Sequence, residues 1–521
     1  PWEPSMPRFF NTAGPCRAEE HYMLPAEART PEARPLIEGG HYFVIHAPRQ
    51  SGKTTLIRNL ARELTAEGKY AAVALSLESM TEDSVELMMP QFLHHLTLTA
   101  RDQLGASTPV PNRADFVNDP HVALQHFLSA WTALSERPLV LLFDEVDAVP
   151  PTLLVSLLRQ LRSGYCSRPA PFPHSIALIG MRDVRDYKAQ VRQEQQSLGT
   201  ASPFNIKSVS LGLRSFDHSE TRALLLQHTN ETGQRFEEDA IDEIFEQSQG
   251  QPWLCNALAS QLTTRWDSLV PEPEVVVTRQ HVLQARELLI ERRDTHLDSL
   301  VARLREDRVR RVVEPLMTGE LSVDPSYDDD WRYVQDLGLV SIRKGQRVIA
   351  NPIYQEIIPR VLTHQVQTGI PLEPAYFVDA NGQLELRRLL ESFVQFWRRH
   401  GEVLLRGMSY QEAAPHLVLM AYLQRVVNGG GQIHREFAVG TGRADLVVEL
   451  GGREDLIELK LQRGKYSLSD GLEQVARYAK RLGRDLGYLV IFDPKSSTPW
   501  DERGQFEERQ QDGVRVLVLR A

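Results

Sequence analysis

The stretch HYFVIHAPRQSGKTTLIRNLARELTAEG, residues 41–68, changes character twice. Residues 41–48 are apolar and aromatic, as in a short buried strand, and from Thr54 the apolar positions recur at helical spacing. Between them lies the loop Ala47, Pro48, Arg49, Gln50, Ser51, Gly52, Lys53, Thr54, with Thr55 opening the helix. A strand–loop–helix of this kind turns backbone N–H groups and a helix N-terminus toward one point, which makes a cradle for phosphate. Lys53 would reach the β- and γ-phosphates of ATP, and the Thr54 hydroxyl would ligate Mg2+. Ala47 stands where the strict pattern has glycine, and alanine is the smallest side chain that can replace it.

Working outward, AAVALSL (71–77), PLVLLFDEVD (138–147) and SIALIGM (175–181) are three further apolar runs of strand length. Strands separated by helices of ten or more residues predict a parallel sheet covered on both faces. The run 138–147 ends in acids about ninety residues after the loop, where Asp144 would enter the Mg2+ shell and Glu145 could polarise the attacking water. The fold class expected is therefore α/β, with a P-loop core at 37–215. A mainly helical lid follows at 216–300, and a winged-helix-like domain at 301–370 has two short strands turning at Lys344–Gly345. Residues 1–36, rich in proline and charge, read as an extended N-terminal arm, and 371–383 as a linker.

Residues 384–521 have their own order. Two helices precede three strands (431–439, 443–450 and 454–462), then come the helix LSDGLEQVARYAKRLG, the strand LGYLVIFDP and a last strand, VRVLVL. Asp445 opens the second strand, and Glu458 and Lys460 lie two apart in the third, on one face. In a hairpin Asp445 can face Glu458. Two carboxylates then hold Mg2+, or Mn2+ in its place, while Lys460 positions a water or steadies an anionic transition state. A lysine in an inward-facing strand pattern is costly without such a partner. Basic residues Arg463, Lys465, Arg477, Lys480, Arg481 and Arg484 could hold a phosphate backbone or form a solvated helix face.

Composition bounds the rest. The 521 residues, 42% hydrophobic and 25% charged, suggest several folded domains. A net charge of −10 leaves no chain-wide footprint for nucleic acid, so such a partner needs a local basic face. No apolar run is long enough for a membrane span, no signal-peptide core opens the sequence, and Cys16, Cys166 and Cys255 are far apart. Together these point to the cytoplasm, with neither a disulfide framework nor a zinc site.

Past residue 147 the chain resembles AAA+ and STAND ATPases. That resemblance implies a γ-phosphate-sensing role for Arg182, and it matches Gly250-Gln251-Pro252 to a motif that seats the nucleotide against the lid. Arg159 and Arg162 would be arginine fingers acting between copies of the chain, or ordinary surface cations. Residues 384–521 resemble the PD-(D/E)XK nuclease superfamily, in an αβββαβ arrangement. There Glu412 on a helix or Glu436 on the first strand would complete the metal shell, and Gln474 and Tyr478 match a QxxxY pattern facing the active site. Ala444 replaces the proline of that motif. The whole chain looks like a bacterial group of AAA-like ATPases with such nuclease domains, which implies that His21 and Tyr22 fold back near the nucleotide. Defence against phage or plasmids is the role that analogy suggests. Three expectations stand side by side. One is a nucleotide-gated DNA endonuclease, a homo-oligomer with an activating partner or trigger. Another is a switch whose C-terminal domain only binds nucleic acid or a partner. The last is a nuclease of RNA or single strands.

Overall fold

The structure, a computed structural model, describes residues 8–182, 209–292, 302–317, 328–362, 377–379, 383–407, 413–427, 432–439, 442–450, 453–462, 468–493 and 497–521. At some positions within these spans, Glu436 and Asp445 among them, it describes the backbone alone. Two compact units divide the chain: residues 1–296 with 332–341 and 350–352, and residues 297–331, 342–349 and 353–521.

In the first unit helix α1 (Ala33–Glu38) leads to strand β1 (Tyr42–His46) and then α2 (Lys53–Ala66). Strand β2 (Ala71–Ser76), helices α3 (Val85–Leu104) and α4 (Ala123–Leu134), and strand β3 (Leu139–Asp144) follow. Then come α5 (Pro151–Cys166), β4 (Ser175–Gly180) and β5 (Val209–Gly212). The five strands are parallel, in the order β2-β3-β4-β1-β5. Their residues alternate between two cores: Tyr42 and Val44 join α3, α4 and α5 on one face, while Phe43 and Ile45 join α2 on the other. Burial on both faces explains why these strands read as continuous apolar runs. The outer edge of β2 is closed by side chains. Thr65 Oγ1 accepts from the Ala72 N–H at 3.1 Å, and the Gln103 amide bonds both the N–H and the C=O of Ala74 at 2.9 and 2.8 Å. That blocks further strand addition there.

Beyond the sheet lie α6 (His218–Thr232), α7 (Glu238–Ser248), α8 (Pro252–Ala259) and α9 (Arg279–Arg292). Asp217 and Glu220 form a reciprocal capping box that starts α6. Helices α10 (Asp307–Met317) and α11 (Asp328–Asp336) precede the hairpin of β6 (Val340–Arg343) and β7 (Gln346–Ile349), followed by α12 (Pro352–Leu362). Lys344 and Gly345 both take left-handed φ, 49° and 77°, as a tight hairpin turn requires.

The second unit contains α13 (Leu386–Gly407), α14 (Ala414–Val427), β8 (Gln432–Val439), β9 (Gly442–Leu450) and β10 (Arg453–Leu461). After these come α15 (Leu468–Arg481), β11 (Leu486–Phe492), β12 (Gln505–Gln511) and β13 (Val514–Arg520). The sheet order is β12-β13-β11-β10-β9-β8. Strands β8, β9 and β10 are antiparallel neighbours, and β10, β11 and β13 are parallel. One face packs on α13 and α14 through Phe393, Trp397 and Tyr422; the other packs on α15 through Val475, Tyr478 and Ala479.

The structure departs from the sequence expectations in four places. Residues 8–36 are no extended arm: Phe10 and Tyr22 are fully buried, Phe9 bridges His21, and α1 begins at Ala33. Phe377, expected in a linker, is buried in the core with Leu384. Strand β12 was not anticipated because QFEERQQ, an exposed edge strand, shows no apolar alternation. Strand β5 is short and half exposed, so it too lacks a pattern.

Candidate functional site

At the carboxyl end of β1 the chain turns through Ala47–Gly52 into α2, with Gln50 and Gly52 left-handed at φ 56° and 90°. A Cβ on Gly52 would stand 2.9 Å from the Arg29 guanidinium, so both conformation and space call for glycine. Gly52→Ala is expected to weaken ATP binding more than tenfold, since strain of about 1–3 kcal/mol falls directly on the loop. Titration of a fluorescent ATP analogue measures this, and wild-type affinity would contradict the loop's assignment. Ala47 fits without glycine: its side chain is buried in the α2-side core, and its N–H donates to the Gly180 carbonyl at 3.2 Å.

Lys53 Nζ spans the loop, donating to the carbonyls of Ala47 (2.7 Å) and Pro48 (2.8 Å). Ser51 Oγ donates to Pro48 O at 2.8 Å, while Arg49 and Gln50 are exposed. Burial pulls the Lys53 ammonium below its ordinary range, opposed by Asp147, Asp144 and Glu145. Thr54 Oγ1 donates to Asp144 Oδ2 at 2.5 Å, so the two groups expected around Mg2+ already meet. Asp144 is 1% exposed, and burial raises its carboxyl despite Thr54 and Lys53. Glu145 is left-handed at φ 56°, a rare conformation for a side-chain-bearing residue and one that recurs at functional sites. Its carboxyl is raised by burial first, then by Glu78, Asp144 and Asp147. Raised acids in one pocket suit proton handling and cation binding.

Sequence reasoning missed Asp147, Cys16 and Arg29. Asp147 Oδ1 accepts from Met181 N–H at 3.0 Å, tying the acidic turn to the end of β4 just before Arg182. Its signal was present, as a third acid in LVLLFDEVD. Cys16 N–H donates to Thr55 Oγ1 at 3.0 Å, which brings the N-terminal segment onto α2. Tyr22 packs edge-on to His228 of α6, and His21 accepts from Arg17 N–H and lines a cavity of about 960 Å³. That cavity lies among Thr12, Cys16, Arg58, Arg62 and Trp266. Arg182 lies with its guanidinium 4.8 Å over the Tyr333 ring. Gly250 is left-handed, and a Cβ there would meet Phe216 O at 1.9 Å; its carbonyl accepts from Phe216 N–H at 2.8 Å. Pro252 opens α8, whose Trp253 donates to Thr12 O at 2.8 Å. Arg159 is exposed on α5, and Arg162 is half buried.

A second polar group lies in the six-stranded sheet. Leu456 packs with Val475, Tyr478 and Ala479 of α15, so Glu458 and Lys460, two and four residues on, share that face. Glu458 is 2% exposed; its Oε1 accepts from Lys460 Nζ at 2.8 Å, and its Oε2 has no hydrogen-bond partner among the described residues. Gln474 Oε1 on α15 is likewise buried without a donor, one turn before the buried Tyr478. Ile457 pairs with Leu446, so the backbones of Glu458 and Asp445 come next on their strands. The side chains of Asp445 and Glu436, and Glu412, Arg463 and Lys465 altogether, lie outside the described residues. Among the described residues no three His, Cys, Asp or Glu side chains cluster as a metal site. Arg477, Lys480 and Arg481 are exposed along α15, and Arg484 donates to Glu454 O at 3.1 Å.

Residues 16–168 match the AAA ATPase domain family, so the chain carries an AAA ATPase domain with a P-loop. No curated protein matches the chain. Among solved structures it is similar to the Walker-type ATPase of Pyrococcus abyssi, at 14% identity over 67% of this chain and 99% of that one, with a TM-score of 0.48. It is also similar to the RuvB Holliday junction branch migration motor of Thermotoga maritima, at 15% identity over 64% of this chain and 93% of that one, with a TM-score of 0.34. Among the described residues no helix is long and apolar enough to cross a membrane, and all three cysteines are free thiols.

Proposed function

We propose that this chain is a nucleotide-gated, metal-dependent DNA endonuclease, an AAA+/STAND-type ATPase joined to a C-terminal PD-(D/E)XK nuclease domain. Glu458 carries the reading. Among the described residues its buried Oε2 lacks a donor, next to an Oε1 that Lys460 occupies, and Gln474 Oε1 on α15 is buried and equally unanswered. An unsatisfied buried acceptor costs about 1–3 kcal/mol, and oxygen acceptors without donors suit a hard divalent cation. Glu458 and Asp445, with Glu412 or Glu436, would hold Mg2+, or Mn2+ in its place. A divalent ion bound there neutralises charge on the scissile phosphate and acidifies a bound water. Lys460 Nζ, oriented by Glu458 Oε1, donates to the attacking water or to the phosphate oxygen that gains charge. Tyr478 and Gln474 wall the site, and the exposed cations of α15 hold the DNA backbone.

In the ATPase domain Lys53 and the loop N–H groups hold the phosphates, Thr54 and Asp144 would hold Mg2+, and the cavity beside α2 receives the base. Glu145 orients the attacking water. Glu145→Gln is expected to keep ATP affinity within about twofold and to slow hydrolysis by about a hundredfold or more. Phosphate release and filter binding test this; wild-type turnover would move the role elsewhere. Nucleotide state would reach the nuclease through the lid and the winged-helix-like region, with exposed Arg159 available to a neighbouring copy in a homo-oligomer. A cytoplasmic enzyme that cuts only on a nucleotide-linked trigger suits defence against foreign DNA. Purified protein should be offered plasmid, linear duplex, single strands and RNA with Mg2+, Mn2+ or chelator. Metal-dependent cutting of duplex DNA is the expected result. Cutting of RNA alone would overturn the substrate assignment, and binding without cutting with every metal would overturn the nuclease.

A further inference from the structure

Among the described residues Arg29 is a buried cation without a counter-ion. Its residue is 5% exposed, and among the described residues no carboxylate lies within ion-pair distance. The Nη1 group donates to two carbonyls, Ser51 O in the phosphate loop at 3.0 Å and Arg214 O at 2.8 Å, just before the lid. The guanidinium sits 4.9 Å over the Phe216 ring, and Nη2 lies against Gly52. Nε meets no acceptor among the described residues. Glu220, the acid with the largest electrostatic influence on Arg29, is bound by Arg214 instead. Burial pulls the Arg29 guanidinium down to about 10. Isolated buried charges are costly and persist where a partner of opposite sign completes them.

We propose that Arg29 is a positioning residue for the nucleotide, whose charge is completed by the bound phosphates and which links the phosphate loop to the first residues of the lid. The inference rests on the nucleotide-binding reading of the loop. The carbonyl bonds alone would need only donors, which a neutral amide could supply. The position against Gly52 adds a positive charge behind the loop that must receive an anion. Being bound to both Ser51 O and Arg214 O, Arg29 also makes phosphate arrival felt at the lid's start.

ADP and ATP affinities of wild type, Arg29→Lys and Arg29→Gln separate charge from hydrogen bonding. Lysine keeps the charge and should bind within about threefold of wild type. Glutamine keeps donors but loses the charge and should bind ADP and ATP at least about tenfold more weakly, with little change in adenosine binding. Glutamine binding ADP as tightly as wild type, or lysine and glutamine failing equally, would overturn the proposal. Wild type that binds no nucleotide would instead remove the loop's assignment itself. If the glutamine variant does not fold, hydrogen exchange on wild type decides: ADP should slow exchange in residues 26–34 and 211–217, and unchanged exchange in both segments would overturn the proposal.

Discussion

Lys460→Ala is expected to lower metal-dependent DNA cleavage by about a thousandfold or more while ATP affinity stays within about twofold. The lysine contacts Glu458, a buried acid 2% exposed, and the domain that carries it begins far beyond the phosphate loop. Removing it leaves both Glu458 oxygens unanswered among the described residues, so metal affinity could survive or even rise while turnover fails. Cleavage rate and Mn2+ affinity should therefore be followed together. Loss of both ATP binding and cleavage would point to misfolding, and undiminished cleavage would remove Lys460 from the chemistry. Asp445→Ala should abolish cleavage as well, and with it metal affinity.

Lys53→Ala should weaken ATP binding by about a hundredfold, the equivalent of one or two lost charge-assisted hydrogen bonds of about 1.5–3 kcal/mol each. In the structure Nζ is held by Ala47 O and Pro48 O, at the place where an incoming phosphate would compete for its protons. The variant should melt close to wild type without nucleotide and lose the rise in Tm that ATP produces. Calorimetric titration checks the affinity, and an unchanged Kd would show that the loop is not the site.

The parallel sheet was legible because strands buried on both faces write themselves as unbroken apolar runs, and because the loop Ala47–Thr54 allows one local geometry. That Glu458 and Lys460 share one face was legible from the strand period alone, whereas their 2.8 Å contact was not. What escaped the sequence depends on long-range contacts. Arg29 reads as one charge in a polar arm, and only folding brings it against Ser51 and Arg214. Tyr333, on α11, gives no sign in its neighbours that it lies under Arg182. Strand β12 has exposed polar residues along most of its length, since an edge strand is specified by its partner and not by its own pattern.

Control of cutting by nucleotide state, as proposed, requires a free-energy difference between arrangements of the chain that ATP and ADP favour unequally. Its most direct measurement is the initial rate of plasmid cleavage by the wild-type chain at fixed Mg2+, with no nucleotide, ADP, ATP or a non-hydrolysable ATP analogue. Rates should differ by about tenfold or more between the ADP and ATP-analogue states, a coupling of about 1.4 kcal/mol, and should converge in Lys53→Ala. Equal cleavage in all four conditions would contradict that control.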